Sequence, residues 1–132
     1  MSDGSGERVK TILVADDESH ILHVVSLKLQ NAGFRVLTAH DGREALELAQ
    51  NERPDLLITD YHMPHLSGLE LCQALKQDEV TAKIPAIMLT ARGYCLEPAD
   101  TERSGILCMV SKPFSPRQLL ATVNEVLAKL AA

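Results

Sequence analysis

Five side chains stand at positions from which they could do chemistry together. Asp16 and Asp17 close a short apolar run, Thr11-Ile12-Leu13-Val14-Ala15, and Glu18 follows them. Asp60 closes a second run at Leu56-Leu57-Ile58-Thr59, Thr90 closes a third at Ala86-Ile87-Met88-Leu89, and Lys112 lies just beyond a fourth at Ile106-Leu107-Cys108-Met109-Val110. Carboxylates a few ångströms apart repel and raise one another's pKa, so a cluster of Asp16, Asp17 and Asp60 calls for a cation. Mg²⁺ (or Mn²⁺) suits such a site, because it takes oxygen ligands, keeps waters and binds phosphate oxygens. Asp60 is then a nucleophile able to form an acyl phosphate. Lys112 and the cation would neutralise charge on a transferring phosphoryl group, and Thr90 would donate its hydroxyl to one of its oxygens.

For these side chains to meet, the apolar runs must be neighbouring strands. A fifth run, Phe34-Arg35-Val36-Leu37-Thr38, completes the set. Those before Asp16, Asp60 and Thr90 are almost continuously apolar, as parallel strands covered on both faces should be. Segments of helical period lie between the runs. Ile21, Leu22, Val25 and Leu29 share one face, as do Leu119, Leu120, Val123, Val126, Leu127 and Leu130. Asp41 with Glu44, Ser67 with Glu70, and Ser115 with Gln118 read as capping boxes, Pro116 as a first helical residue, and Asn31-Ala32-Gly33 as a helix stop. Between Arg92 and Gly105 the pattern predicts only a short fourth helix, opening near Pro98. The order is a βα unit repeated five times, hence an α/β fold with a parallel sheet between helices. In such sheets ligands bind at the carboxyl ends of the strands, where all five side chains lie.

Composition sets the outer bounds. The chain of 132 residues is long enough for one domain with a real core, and its 45% hydrophobic and 23% charged residues fit a globular rather than a disordered chain. A net charge of −5 argues against a nucleic-acid surface. No apolar run approaches the roughly 20 residues that span a bilayer. Cys72, Cys95 and Cys108 have no metal-ligand spacing, and their odd number speaks against a disulfide framework. Reduced thiols in a cytoplasmic protein are the expectation, with Cys72 and Cys108 in the core. Residues 1–8 read as a flexible tail and 9–132 as the folded domain.

The motifs ILVADDE at 12–18, LLITDYHMPHLSG at 56–68, MLTA at 88–91 and SKPF at 111–114, in this order, resemble the receiver domains of two-component response regulators, and the resemblance spans residues 10 to 130. It implies a flavodoxin-like doubly wound (βα)5 fold with strand order 2-1-3-4-5. It also implies Mg²⁺-dependent transfer of a phosphoryl group to Asp60 from a sensor histidine kinase or a histidine phosphotransfer protein. Asp17 would be the acid most directly on the metal, Asp16 would help through water, and the His62 backbone carbonyl would be a further ligand. Thr90 and Lys112 match the switch hydroxyl and the phosphate-binding lysine, and a cis Lys112-Pro113 bond is expected. Phosphorylation would shift a two-state equilibrium and alter binding of a downstream effector on the face made by the fourth helix, fifth strand and fifth helix, in a monomer or a weak phosphorylation-dependent dimer.

One position departs from the pattern. Met109 stands three residues before Lys112, where receivers usually carry Tyr or Phe as a rotamer switch; methionine can fill the cavity without a ring or hydroxyl. Tyr94 is a candidate substitute, and Arg92 sits at a position that commonly tunes hydrolysis. His62 and His65 read as exposed loop residues rather than metal ligands. Two rival readings remain open: a phosphohydrolase acting on outside substrates, for which Tyr61-His62 supplies no second carboxylate, and a phosphorylation-independent docking module of the same fold. The sequence shows no DNA-binding or catalytic output domain, and whether it is a stand-alone regulator or one domain of a longer protein is open.

Overall fold

Strands that are apolar along their whole length need cover on both faces, and the computed structural model, which describes residues 9–90 and 105–131, shows how they obtain it. The elements are β1 (Thr11–Ala15), α1 (Ser19–Asn31), β2 (Arg35–Ala39), α2 (Gly42–Glu52), β3 (Leu56–Asp60), α3 (Gly68–Lys76), β4 (Ala86–Thr90), β5 (Ile106–Ser111) and α4 (Pro116–Ala131). The expected tail at 1–8 and the short helix expected near Pro98, with Arg92, Tyr94 and Cys95, lie outside the described residues. Among the described residues the strands form one parallel sheet in the order β2-β1-β3-β4-β5, as expected for a doubly wound fold.

Strand alternation divides the core in two. Ile12 and Val14 of β1, Leu56 and Ile58 of β3, and Ile87 and Leu89 of β4 meet α1 (Leu22, Val25, Leu29) and α4 (Leu119, Val123, Val126). Leu13, Ala15, Leu57, Ala86 and Met88 face α2 (Ala45, Ala49) and α3 (Leu71, Cys72, Leu75) on the other side. The central strands β1, β3 and β4 are buried at every residue. Each large side chain so buried stabilises the fold by about 1.5–3 kcal/mol relative to an exposed one.

Several local expectations are corrected. The capping box is reciprocal at Ser67–Glu70, where Ser67 Oγ accepts from Glu70 N–H and Glu70 Oε1 from Ser67 N–H. At α2 the Asp41 carboxylate does cap Glu44 N–H, but Glu44 Oε1 accepts instead from His40 N–H, one residue before the cap. At α4 only the Ser115 half is made, from Gln118 N–H. Leu130, expected on the core face, is exposed. The reason is length: a 16-residue helix runs ~24 Å, whereas a five-residue strand runs ~17 Å, so the last turn outreaches the sheet. Cys108, expected in the core, is half-buried because β5 is an edge strand. The helix stop at 31–33 is as expected, with Gly33 at φ +100° just past α1.

Candidate functional site

The site is assembled at the carboxyl ends of β1, β3, β4 and β5. Asp16 N–H still pairs with the sheet, donating to Ala39 O at 3.1 Å, while its side chain turns over the strand end and accepts from Glu18 N–H at 2.9 Å. This Asx-type turn supports the entry into α1. Glu18 occupies the N-cap position, but its side chain makes no capping bond and is free to reach elsewhere. Asp60 is the last residue of β3, after which Tyr61 N–H donates to Leu89 O at 2.8 Å and Tyr61 O accepts from Gly68 N–H at 2.7 Å. The start of α3 is thereby folded back onto the end of β3. Only glycine permits it: a Cβ at Gly68 would lie 2.3 Å from Asp60 O and 2.9 Å from Met88 Sδ.

Lys112 is drawn into the same cluster. Its N–H donates to Thr90 O at 2.8 Å, the Lys112-Pro113 bond is cis, and its Nζ meets three carboxylates. Those contacts are 3.1 Å to Asp16 Oδ2, 3.1 Å to Glu18 Oε1 and 3.2 Å to Asp60 Oδ1. Asp16 and Asp60 are buried and Asp17 is exposed, and one carboxylate oxygen from each lies within 4.8 Å of the others. Three acids thus share one ammonium, and a fourth, Asp17, stands beside Asp16 and Asp60. Burial raises the Asp16 and Asp60 pKa values above the usual carboxylate range, Asp16 adds to the effect on Asp60, and Lys112 opposes it. For Lys112 burial alone would act downward; the carboxylates of Asp16, Asp60 and Glu18 override it and take the ammonium up to about 12.

Two buried carboxylates and an exposed third, with one lysine among them, leave net negative charge at a strand edge open to solvent. That donor set can bind a metal ion, and hard oxygen ligands favour a hard divalent one. Among the described residues Asp16, Asp17 and Asp60 are the one group of three or more acid, histidine or cysteine ligands close enough to share an ion, and neither His62 nor His65 joins it. Both histidines are exposed, and the His62 ring lies edge-on to Tyr61 with centroids 4.8 Å apart. His65 sits at φ +71° in a three-residue turn closed by Leu66 N–H to Pro64 O.

Thr90 is buried at the end of β4. By alternation it belongs with Ala86 and Met88, on the α2/α3 face, whereas Asp16, Asp60 and Lys112 belong to the α1/α4 face. Met109 also lies on the α2/α3 face, half-buried and in register with Met88. Hydroxyl and methionine therefore lie on the same side of the sheet. Two contributions went unread in the sequence. Glu18 was visible only as the residue after an acidic pair, and Gly68 only as part of a loop motif.

The sequence model of the family described as response regulator receiver domain matches residues 12–124. The chain is 39% identical over 120 residues to the phosphate regulon transcriptional regulatory protein PhoB of Pseudomonas aeruginosa, a match covering 91% of this chain and 52% of that protein. It is 38% identical over 120 residues to the alkaline phosphatase synthesis transcriptional regulatory protein PhoP of Bacillus subtilis, covering 91% and 49%. Among solved structures it is similar to the chemotaxis response regulator CheY4 of Vibrio cholerae, with a TM-score of 0.83 and 36% identity over 90% of this chain and 99% of that one. With this fold, this site and these matches, the chain belongs to the response regulator receiver domain family of two-component signalling. It spans about half the length of the curated relatives it matches. No helix among the described residues is long and apolar enough to cross a membrane.

Proposed function

We propose that Asp60 accepts a phosphoryl group in a Mg²⁺-dependent reaction from a histidine kinase or histidine phosphotransfer protein, and that the acyl phosphate alters binding of a downstream partner. The observation that carries this reading is the placement of Asp60: buried, 3.2 Å from Lys112 Nζ and within 4.8 Å of ligand oxygens of Asp16 and Asp17. A carboxylate oxygen of Asp60 forms the new bond to phosphorus while the bond to the donor's nitrogen or oxygen breaks. Mg²⁺, held by Asp16, Asp17 and Asp60 with the His62 carbonyl as a further ligand, would supply charge neutralisation at the phosphoryl oxygens. Lys112 leaves its carboxylate partners for one of those oxygens, and Thr90 donates its hydroxyl to another. The protein thereby catalyses only its own phosphorylation and dephosphorylation.

A cleft of about 520 Å³ beside the carboxylates, walled by Ile21, Val24 and Phe114, offers apolar surface for a protein donor. On β5 and α4, Leu107 and Leu130 are exposed and line a second cleft with Lys129 and Glu125, which supports an effector face there. Incubation with acetyl phosphate and Mg²⁺ is expected to label the protein once, and Asp60→Asn to abolish the label; persistent stoichiometric labelling of the variant would overturn the assignment. Lys112→Ala is expected to weaken the phosphorylation-driven change in partner affinity, because it removes the counter-charge that would follow the phosphoryl group. A pull-down with and without acetyl phosphate checks this.

A further inference from the structure

Glu18 is the acid at the site for which the proposed chemistry has no use, yet its Oε1 reaches Lys112 Nζ at 3.1 Å, as close as the buried Asp16. Its side chain is more than half exposed and makes no capping bond to α1, so helix geometry does not explain its direction. We infer that Glu18 is a positioning residue that tethers Lys112 among the carboxylates in the resting protein and so restrains it from following a phosphoryl group. The inference rests on the phosphoacceptor reading of Asp60. Lys112 shares one charge among three carboxylates, and before it can follow a phosphoryl group it must give up the two that are not phosphorylated. Asp16 is buried and fixed by its bond from Glu18 N–H, so that partner is constant. Glu18 is the adjustable one: it stabilises the resting arrangement and has no counterpart interaction once Lys112 has moved. An interaction made in the ground state and lost on the way to the transition state slows the chemical step.

Two effects of removing Glu18 have opposite signs. Glu18→Gln takes one negative charge from beside the carboxylate cluster, so Mg²⁺ binding weakens. It also frees Lys112, so transfer at saturating Mg²⁺ quickens, with the Asp60 oxygen–phosphorus bond forming as acetate leaves acetyl phosphate. Both changes are expected at about two- to fivefold, the range of an exposed ion pair. A structural role for Glu18 would lower both together.

The experiment uses the full chain at about 0.5 M ionic strength, where the general field of the lost charge is screened and the direct contact is less so. The Mg²⁺ concentration for half-maximal labelling and the labelling rate at saturation are measured for the wild type, Glu18→Gln, Lys112→Ala and the double variant. The expected result is a faster rate with weaker Mg²⁺ binding in Glu18→Gln, and no rate gain when the same change is made on Lys112→Ala. An equal gain in both backgrounds, or no gain in either, overturns the inference. Independently of labelling, the Lys112 ¹³Cε resonance of the metal-free protein should shift on Glu18→Gln, and an unmoved resonance overturns it as well. If the wild type fails to label at all, the phosphoacceptor reading falls, while the resonance still reports on the contact.

Discussion

Asp60 is held in a state that its own burial disfavours. Burial first, then the Asp16 carboxylate, raise its pKa above the ordinary 3.8. A carboxyl raised in this way binds its proton more tightly folded than unfolded. It favours the fold below the unfolded pKa, and that contribution is lost as pH rises through the folded value. At neutral pH the metal-free protein therefore carries an ionised, desolvated group at some expense of stability, while Lys112 keeps Asp16 and Glu18 as partners whether Asp60 is charged or not. Asp60→Asn is expected to raise the thermal midpoint of the metal-free protein near pH 7 by about 4 °C, equivalent to ~1 kcal/mol. The gain should shrink as pH falls toward 3.8. Melting curves across that range check it, and coincident midpoints at pH 7 would contradict the account. Of the residues that matter here, Asp16, Asp17, Asp60, Thr90 and Lys112 were legible because each ends or follows an apolar run. Glu18 was not, because its role depends on a partner 94 residues away.

Among the elements, the start of α3 is tightly constrained against the site. The Ser67–Glu70 box sets where the helix begins, and Gly68 sets how closely it approaches β3. A methyl group at Gly68 would meet the Asp60 backbone, which cannot yield without moving the strand end, and the sulfur of Met88. Gly68→Ala is therefore expected to destabilise the fold by about 1–3 kcal/mol through overpacking, read as a lower urea midpoint with an unchanged slope. It should also slow labelling of Asp60, since the strand end that carries the carboxylate is what shifts. The capping box was readable from four residues in a row. The close approach was not, because nothing in a local window says which backbone a glycine faces.

At the scale of the whole molecule, the ends of β1 and β3 bring acids together at one edge of the sheet, and the ammonium of Lys112, from beyond β5, meets three of them. A ligand that binds the folded state and not the unfolded one stabilises by about 2.7 kcal/mol at a hundredfold excess over its Kd. Saturating Mg²⁺ is accordingly expected to raise the thermal midpoint of the wild type by about 5–10 °C. Asp17→Asn should remove most of that rise, and EDTA should reverse it. Asp17 is the acid to test, being exposed and clear of Lys112, so that its loss subtracts a ligand oxygen without disturbing the ion pairs. A full Mg²⁺ shift in Asp17→Asn would exclude it as a ligand. The comparison also separates the two faces of the site: charge repulsion and its relief on the α1 side, and packing around Thr90, Met88 and Met109 on the other.

Taken alone, the sequence determined the class of fold and the membership of the site. Apolar runs of strand length alternating with helical periods admit little besides a parallel doubly wound sheet, and residues at strand ends must then share an edge. Tertiary structure decided on which face each of them points. Ala86 pairs with Ile106 but Ile87 pairs with Cys108, so Leu107 is skipped and the register of β5 shifts by one. Counting by twos from the inward Ile106 would send Lys112 to the α2/α3 face, away from Asp16 and Asp60. With the shift, Cys108, Val110 and Lys112 turn to the α1/α4 face, and the ammonium reaches its three carboxylates. A one-residue slip reverses every side chain beyond it, and it arises from pairing with a neighbouring strand, which no local pattern encodes.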